Sequence, residues 1–482
     1  MSDYTTIERR YLTDGWHEAD ASFAVRSPID GRTVADVADL SGDAGTRAAD
    51  EAARVAWTAF EAWRATTAFE RADVLRRWHD LMMRDRERLA RAMTLEMGKP
   101  IRESRGEVTY AAGFVRWYAE EAVRVYGTAF PTHVGHKRGL ALRQPVGPVY
   151  AVTPWNFPAA MATRKAGPAL AAGCTFVLKP AEQSPITALL LAELWREAGG
   201  PDGTFQVLTA SDPRPLSEAL LNDPRIRKVT FTGSTEVGRI LYRQSAETIK
   251  KISLELGGHA PFLVFDDADL DQAVTEAIAC KFRNAGQTCV CTNRIYVHER
   301  VAEAFTERYV AATAALRTGD PLDDETEVGP LVDEAGRDKV QDHVRDALDK
   351  GATVRLGGRA GEGLHYLPTV LTGVTPAMAM MQEETFGPVA PIATFADDAE
   401  AIRLANDTPY GLAAYLYTRD LTRAWTTAEA LEYGIVGVND GVPSAPYAPF
   451  GGVKQSGVGR EGGPWGIDEY LETKYVSIAL HP

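Results

Sequence analysis

The chain has 482 residues, a net charge of −14 and a sequence pI near 5.3, with 45% apolar and 24% charged residues. That length exceeds one small core, so two or three domains of an ordinary globular protein are expected. The acidic balance argues against nucleic acid or an anionic membrane as partner, and an anionic substrate would need a few local Arg or Lys residues. Four cysteines (Cys174, Cys280, Cys289, Cys291) and no C-x-x-C pair support neither a disulfide framework nor a zinc site, so no metal is expected. The N-terminal residues lack an apolar h-region, and no apolar run approaches the ~18 residues of a membrane span; a cytoplasmic protein is the expectation.

Residues 1–40 read as strands and turns, with Ser27-Pro28-Ile29-Asp30-Gly31 a turn signal. An Ala-rich helical pattern covers 44–65. A second covers about 69–96 and stops at Gly98-Lys99-Pro100, and a third covers about 101–126. These helices read as scaffold. Residues 139–147 form a strand pattern with a turn at each end. Beyond Val149, short apolar strands at 149–153, 175–178, 205–208, 228–231 and 251–256 alternate with helices near 187–198, 215–221 and 235–244. Such alternation predicts a parallel sheet covered on both faces, with its ligand at the carboxyl ends of the strands. A second βα series follows Gly258, with strands at 261–264, 294–297, 389–395, 413–418 and 435–439. The tail ends in an apolar strand at 475–480. An open apolar edge is a hazard, so a partner subunit is expected to cover it.

The one G-x-G-x-x-G (Gly457, Gly459, Gly462) follows no strand and sits in no βαβ unit, so it reads as a flexible polar loop. A better phosphate site lies in residues 228–238, where a strand runs into Gly233-Ser234 and a helix whose N-terminus offers free N–H groups; an ordinary cap is the alternative. At another strand end stand Lys179 and Glu182. A carboxylate there accepts from ribose hydroxyls and repels a 2′-phosphate, unless the segment is merely a solvated charged loop. Between a helical pattern over 268–282 and a strand pattern from Arg294 lies a polar connection containing Gly286-Gln287-Thr288-Cys289-Val290-Cys291. A thiol there is either exposed and activated or a buried packing residue.

Taken together, five blocks spread over nearly the whole chain resemble the aldehyde dehydrogenase superfamily. They are Thr153-Pro154-Trp155-Asn156-Phe157-Pro158, residues 231–238, Leu254-Glu255-Leu256-Gly257-Gly258, Gly286-Gln287-Thr288-Cys289 and Glu383-Glu384-Thr385-Phe386-Gly387-Pro388. The resemblance implies an α/β fold with a Rossmann-type cofactor domain (1–127 and 145–256), an α/β catalytic domain (257–465) and a small β oligomerisation arm (128–144 and 466–482), in a homodimer or homotetramer. It implies Cys289 as nucleophile, forming a thiohemiacetal and then a thioester. Asn156 and the Cys289 N–H would be the oxyanion donors and Glu255 the general base. It places Thr153, Trp155, Lys179, Glu182, Gly233, Ser234, Glu384 and Phe386 around the cofactor. Glu182 favours NAD, with NADP possible.

Within the superfamily, residues 281–294 and 448–462 resemble the succinate-semialdehyde dehydrogenase branch. This implies an ω-carboxy aldehyde whose far carboxylate is held by Arg164, Arg294 and Ser444. Structural ion pairs are the alternative for the two arginines. His259 stands where Asn is common in the family, and Val442-Pro443-Ser444-Ala445-Pro446-Tyr447 is unusually Pro-rich. Glutarate semialdehyde, a broader aldehyde range, and a catalytically silent dinucleotide-binding protein therefore stay open. Cys291 is a possible redox partner of Cys289, as in some members of that branch. In a straight strand residues i and i+2 lie about 7 Å apart, so a disulfide requires a kinked loop.

Overall fold

Two open sheets, each built mainly from parallel strands, organise the chain in the computed structural model, which describes residues 4–481. The first has eight strands in the order Gly457–Val458, Lys251–Glu255, Lys228–Thr232, Val149–Val152, Phe176–Lys179, Phe205–Val207, Arg10–Leu12, Trp16–Glu18. Its five central strands are parallel and its outer pairings antiparallel. Side chains alternate between two cores, as the two-residue period of a strand requires. Val149, Ala151, Phe176 and Leu178 face the helices Ala68–Arg84, Ile101–Ala122, Pro158–Ala172 and Pro185–Glu197, whereas Tyr150, Val177 and Val229 face Asp43–Trp63 and Arg214–Asn222.

The second sheet has seven strands in the order Thr353–Leu356, Thr369–Thr372, Val389–Phe395, Thr292–His298, Ala260–Val264, Ala413–Tyr417, Ile435–Val438. All pairings but the first are parallel. A third core fills this half. The tail strand Leu471–Ala479 pairs antiparallel with Lys137–Pro145, which also carries Thr128–Phe130. No helix among the described residues is long and apolar enough to cross a membrane.

Three segments differ from the sequence reading. The helix expected over 69–96 is two helices, Ala68–Arg84 and Arg86–Met97, broken at Asp85. Asp is a poor helix former, and the Asp85 carboxylate is held by Arg84 at 2.6 Å. The helix Pro158–Ala172 was not foreseen: it is buried on every side, so it shows no amphipathic period. The glycine-rich segment is no loose loop. Gly457–Val458 pairs with Leu254 and Glu255 at the sheet edge, and the Ser456 hydroxyl donates to Gly257 O at 2.7 Å. This return crossing ties residues of the second half to the strand end that carries Glu255.

Candidate active site

Cys289 lies in the connection between the helix Leu270–Phe282 and the strand Thr292–His298, where two cavities meet. The connection is conformationally strained. Asn284, Ala285 and Gly286 all have left-handed φ angles (52°, 52° and 77°), a rare state for the first two. A Cβ at Gly286 would stand 2.2 Å from Gly387 O, and one at Gly258 would stand 2.4 Å from Cys289 O. Glycine at both positions lets the nucleophile loop seat this deeply. Side chains knit the loop: Asn284 Nδ2 donates to Gln287 O (3.2 Å), Gln287 Nε2 to Asn284 O (3.1 Å), and Gln287 Oε1 accepts from Val332 N (3.0 Å). Burial pushes the Cys289 thiol up to about 12, with Arg164 opposing, so it rests protonated and needs a base to become a nucleophile. Cys289 and Cys291 are both free thiols; Cys291 lines neither cavity, and its Sγ donates to Lys281 O at 3.4 Å.

Asn156 ends the turn before helix Pro158–Ala172 and shares the wall of the second cavity with Cys289. Its Nδ2 donates to Gln287 O at 3.0 Å, and its Oδ1 has no hydrogen-bond partner. Glu255, at the end of its strand, is buried; neither carboxyl oxygen has a hydrogen-bond partner, and it lines neither cavity. Burial, and then the neighbouring Glu461 carboxylate, push its pKa well above the usual carboxylate range. Burial acts on Glu461 in the same direction, but Lys165 and Arg164 outweigh it and hold Glu461 ionised. Sequence reasoning missed Glu461, which hides in the glycine-rich segment set aside as a loop.

The first cavity, about 310 Å³, runs from Cys289 past Phe157, Met161, Tyr110 and Phe450, and also carries Arg164, Arg283 and Ser444 on its wall. Arg164 is fully buried, paired with Glu461 at 2.5 Å and stacked 3.9 Å from the centroid of Phe450; its NH1 has no acceptor. Arg294 is not there. Its Nε donates to His259 O (3.0 Å), and its two NH groups donate to Leu404 O (3.0 Å), Ala405 O (2.9 Å) and the Tyr433 hydroxyl (2.9 Å). It closes the carbonyl end of the helix Asp398–Asn406, a natural berth for a cation, with four of its five N–H donors committed to protein acceptors. The second cavity guanidinium is Arg283, beside the Phe157 ring (5.4 Å), with its buried Nε lacking an acceptor. A basic residue closing a helix reads as a dipole partner, which is why the sequence alone did not mark it.

The second cavity, about 390 Å³, continues into a third of about 510 Å³ through shared walls at Pro154, Trp155, Thr232, Gly233 and Ser234. Together they form a groove across the carboxyl ends of Val149–Val152, Phe176–Lys179 and Lys228–Thr232. Thr153, Lys179 and Glu182 line its far part, and Glu384 and Phe386 the part nearest Cys289. Lys179 pairs with Glu182. Ser234 caps the helix Thr235–Ser245, accepting from Val237 N at 3.3 Å. The Glu384 carboxyl is pushed up to about 7 by burial and accepts from Gly258 N at 3.3 Å. Phe386, at φ 57°, packs edge-on against Trp155 with centroids 5.6 Å apart. The groove fits an extended dinucleotide: a helix N-terminus for the phosphates, paired hydroxyl acceptors for the riboses, and an aromatic floor beside the thiol.

A thiol set where such a groove meets a cavity with unsatisfied guanidinium groups is the layout of a dehydrogenase for a small carbonyl compound. The chain belongs to the aldehyde dehydrogenase family, whose model matches residues 16–476. These enzymes use NAD(P) and act on small aldehydes. The chain is 52% identical to the succinate-semialdehyde dehydrogenase [NADP(+)] of Escherichia coli K12, over 100% of both chains. It is also 52% identical to the glutarate-semialdehyde dehydrogenase of Pseudomonas putida, over 98% of both chains. The crystal structure of succinate-semialdehyde dehydrogenase from Burkholderia pseudomallei superposes with a TM-score of 0.97, at 50% identity and full coverage of both chains.

Proposed function

We propose that this enzyme oxidises an ω-carboxy aldehyde, best represented by succinate semialdehyde, to the corresponding dicarboxylate with NAD. The observation that carries this reading is the pair of buried guanidinium N–H groups, Arg164 NH1 and Arg283 Nε, left without acceptors in the cavity that leads to Cys289. Buried donors need partners, and a carboxylate is the acceptor that guanidinium geometry fits best. Ser444 adds a hydroxyl on the same wall. In this reading Glu255 swings about its side-chain torsions to take the Cys289 proton, and the thiolate attacks the aldehyde carbon. The Asn156 amide and the Cys289 N–H hold the oxyanion of the thiohemiacetal. Hydride acceptance is the chemistry a bound nicotinamide dinucleotide supplies. Glu255 passes that proton to solvent and, ionised again, deprotonates the water that hydrolyses the thioester.

Replacing Arg283 by Ala is expected to raise KM for succinate semialdehyde roughly 10- to 100-fold, the range of a lost charged hydrogen bond, and to leave butanal within about three-fold. Equal effects on both aldehydes would remove the carboxylate assignment. The identity to a glutarate-semialdehyde dehydrogenase favours a five-carbon substrate as the second reading. The ratio of kcat/KM for the two semialdehydes decides between them.

The preference for NAD rests on Glu182, whose carboxylate borders the far groove. Lys179 neutralises part of its charge, so discrimination should be moderate. Glu182→Ser is expected to shift the ratio of kcat/KM with NAD to that with NADP toward NADP by about 10-fold or more. A higher kcat/KM with NADP in the parent enzyme would refute the argument. The exposed Phe130, Tyr475 and Ile478 on the three-stranded arm support its reading as a contact with a second subunit.

A further inference from the structure

Gly98-Lys99-Pro100 has the composition of a helix stop, yet the Lys99 side chain is wholly buried. Gly98, at φ 81°, closes the helix Arg86–Met97, and Pro100 precedes the helix Ile101–Ala122. The ammonium meets three groups. It pairs with Glu107, donates to the backbone O of Asn156 at 2.8 Å, and lies 3.6 Å from the centroid of the Phe157 ring. Glu107 Oε1 accepts from Ala159 N and Ala160 N at 3.0 and 3.1 Å, two of the free donors that open the helix after Asn156. The pair therefore grips both sides of Asn156, its own carbonyl and the turn that follows. The remaining hold on that carbonyl is Asn284 Nδ2 at 3.1 Å, from the strained nucleophile loop.

A helix stop needs no buried charge, and buried ion pairs are often no better for stability than apolar groups of the same shape. What this pair does fix is the backbone of the residue proposed to supply the oxyanion donor. Such donors lose their effect when displaced by about an ångström. We infer that Lys99, held by Glu107, is a positioning residue that sets the Asn156 amide for oxyanion stabilisation. This rests on the oxyanion role proposed for Asn156.

The test is Lys99→Met combined with Glu107→Gln. The double change removes the bond to Asn156 but leaves no unpaired buried charge, and the Gln oxygen still accepts from Ala159 and Ala160. In the full-length enzyme kcat/KM should fall roughly 10- to 100-fold for succinate semialdehyde and for butanal alike. NADH affinity by fluorescence titration and the rate of Cys289 alkylation by iodoacetamide should stay within about three-fold. In an Asn156→Ala background the same pair of changes should cost less than about three-fold more, because residues acting as one unit are not additive. Lys99→Met alone, compared in the same two backgrounds, serves if the double variant does not fold. Equal losses in both backgrounds, or unchanged kcat/KM in the first, would overturn the inference. Full activity of Asn156→Ala would instead overturn the oxyanion reading itself, so the two failures are distinct.

Discussion

Replacing Cys289 by Ala is expected to lower kcat for aldehyde oxidation by at least about 10⁴-fold, the scale seen when a covalent nucleophile is removed and binding alone remains. The reason lies in geometry. Cys289 is the one cysteine on the walls of both the substrate-side cavity and the groove, and Cys174, Cys280 and Cys291 are buried elsewhere. Titrating the cofactor by fluorescence separates chemistry from binding, because NADH affinity should be retained within about three-fold. The parent enzyme should also show a particular pH dependence. Burial favours the neutral thiol and raises its pKa to about 12, so the thiolate fraction at neutral pH is small. Below that pKa each pH unit multiplies it about ten-fold. The rate of inactivation by iodoacetamide without aldehyde should therefore climb without a plateau between about pH 7 and 10. A plateau below about pH 8 would reveal a thiolate already formed at rest.

Glu255→Gln is expected to reduce steady-state turnover by about 10³-fold, within the range of general-base catalysis. Burial and then the ionised Glu461 oppose ionisation of Glu255 and raise its pKa, against Arg164 and Lys165. Glu255 becomes a base only once its proton leaves, so the basic form grows as pH rises through its raised pKa. Turnover of the parent enzyme should rise toward alkaline pH, and the Gln variant should lose that limb. If deacylation is the step that Glu255 serves most, the variant still releases a burst of NADH of about one equivalent and then stalls. A variant that turns over with the parent's pH profile would exclude Glu255 as the base.

The parts of this site that could be read in the sequence share a location. Cys289, Asn156, Glu255, Lys179 and Ser234 stand at strand ends or strand–helix turns, where periodicity locates the elements and local chemistry names the residue. What escaped depends on contacts between distant segments. Arg294 has the right type and lies close to the nucleophile, but its fate is set by carbonyls at Leu404 and Ala405, more than a hundred residues away. Arg283 looked like an ordinary helix end. Glu461 and Lys99 sit in segments whose glycines suggested turns rather than buried charges. The rejection of Gly457-Val458-Gly459 as a phosphate fingerprint agrees with its pairing at the sheet edge, while its looseness does not. Helix Pro158–Ala172 carries two prolines and no polar face, so neither period nor composition announced it. Pattern reading finds surfaces between core and solvent, and these elements have none.

The most direct measurement is a rapid acid quench of the parent enzyme within its first turnover with NAD and succinate semialdehyde, followed by proteolysis and mass spectrometry of the peptides. The expected result is a succinyl thioester on Cys289, absent when NAD is omitted and absent from the Cys289→Ala enzyme. An acyl group on Cys291 or any other residue, or undiminished turnover in the Cys289→Ala protein, would contradict it.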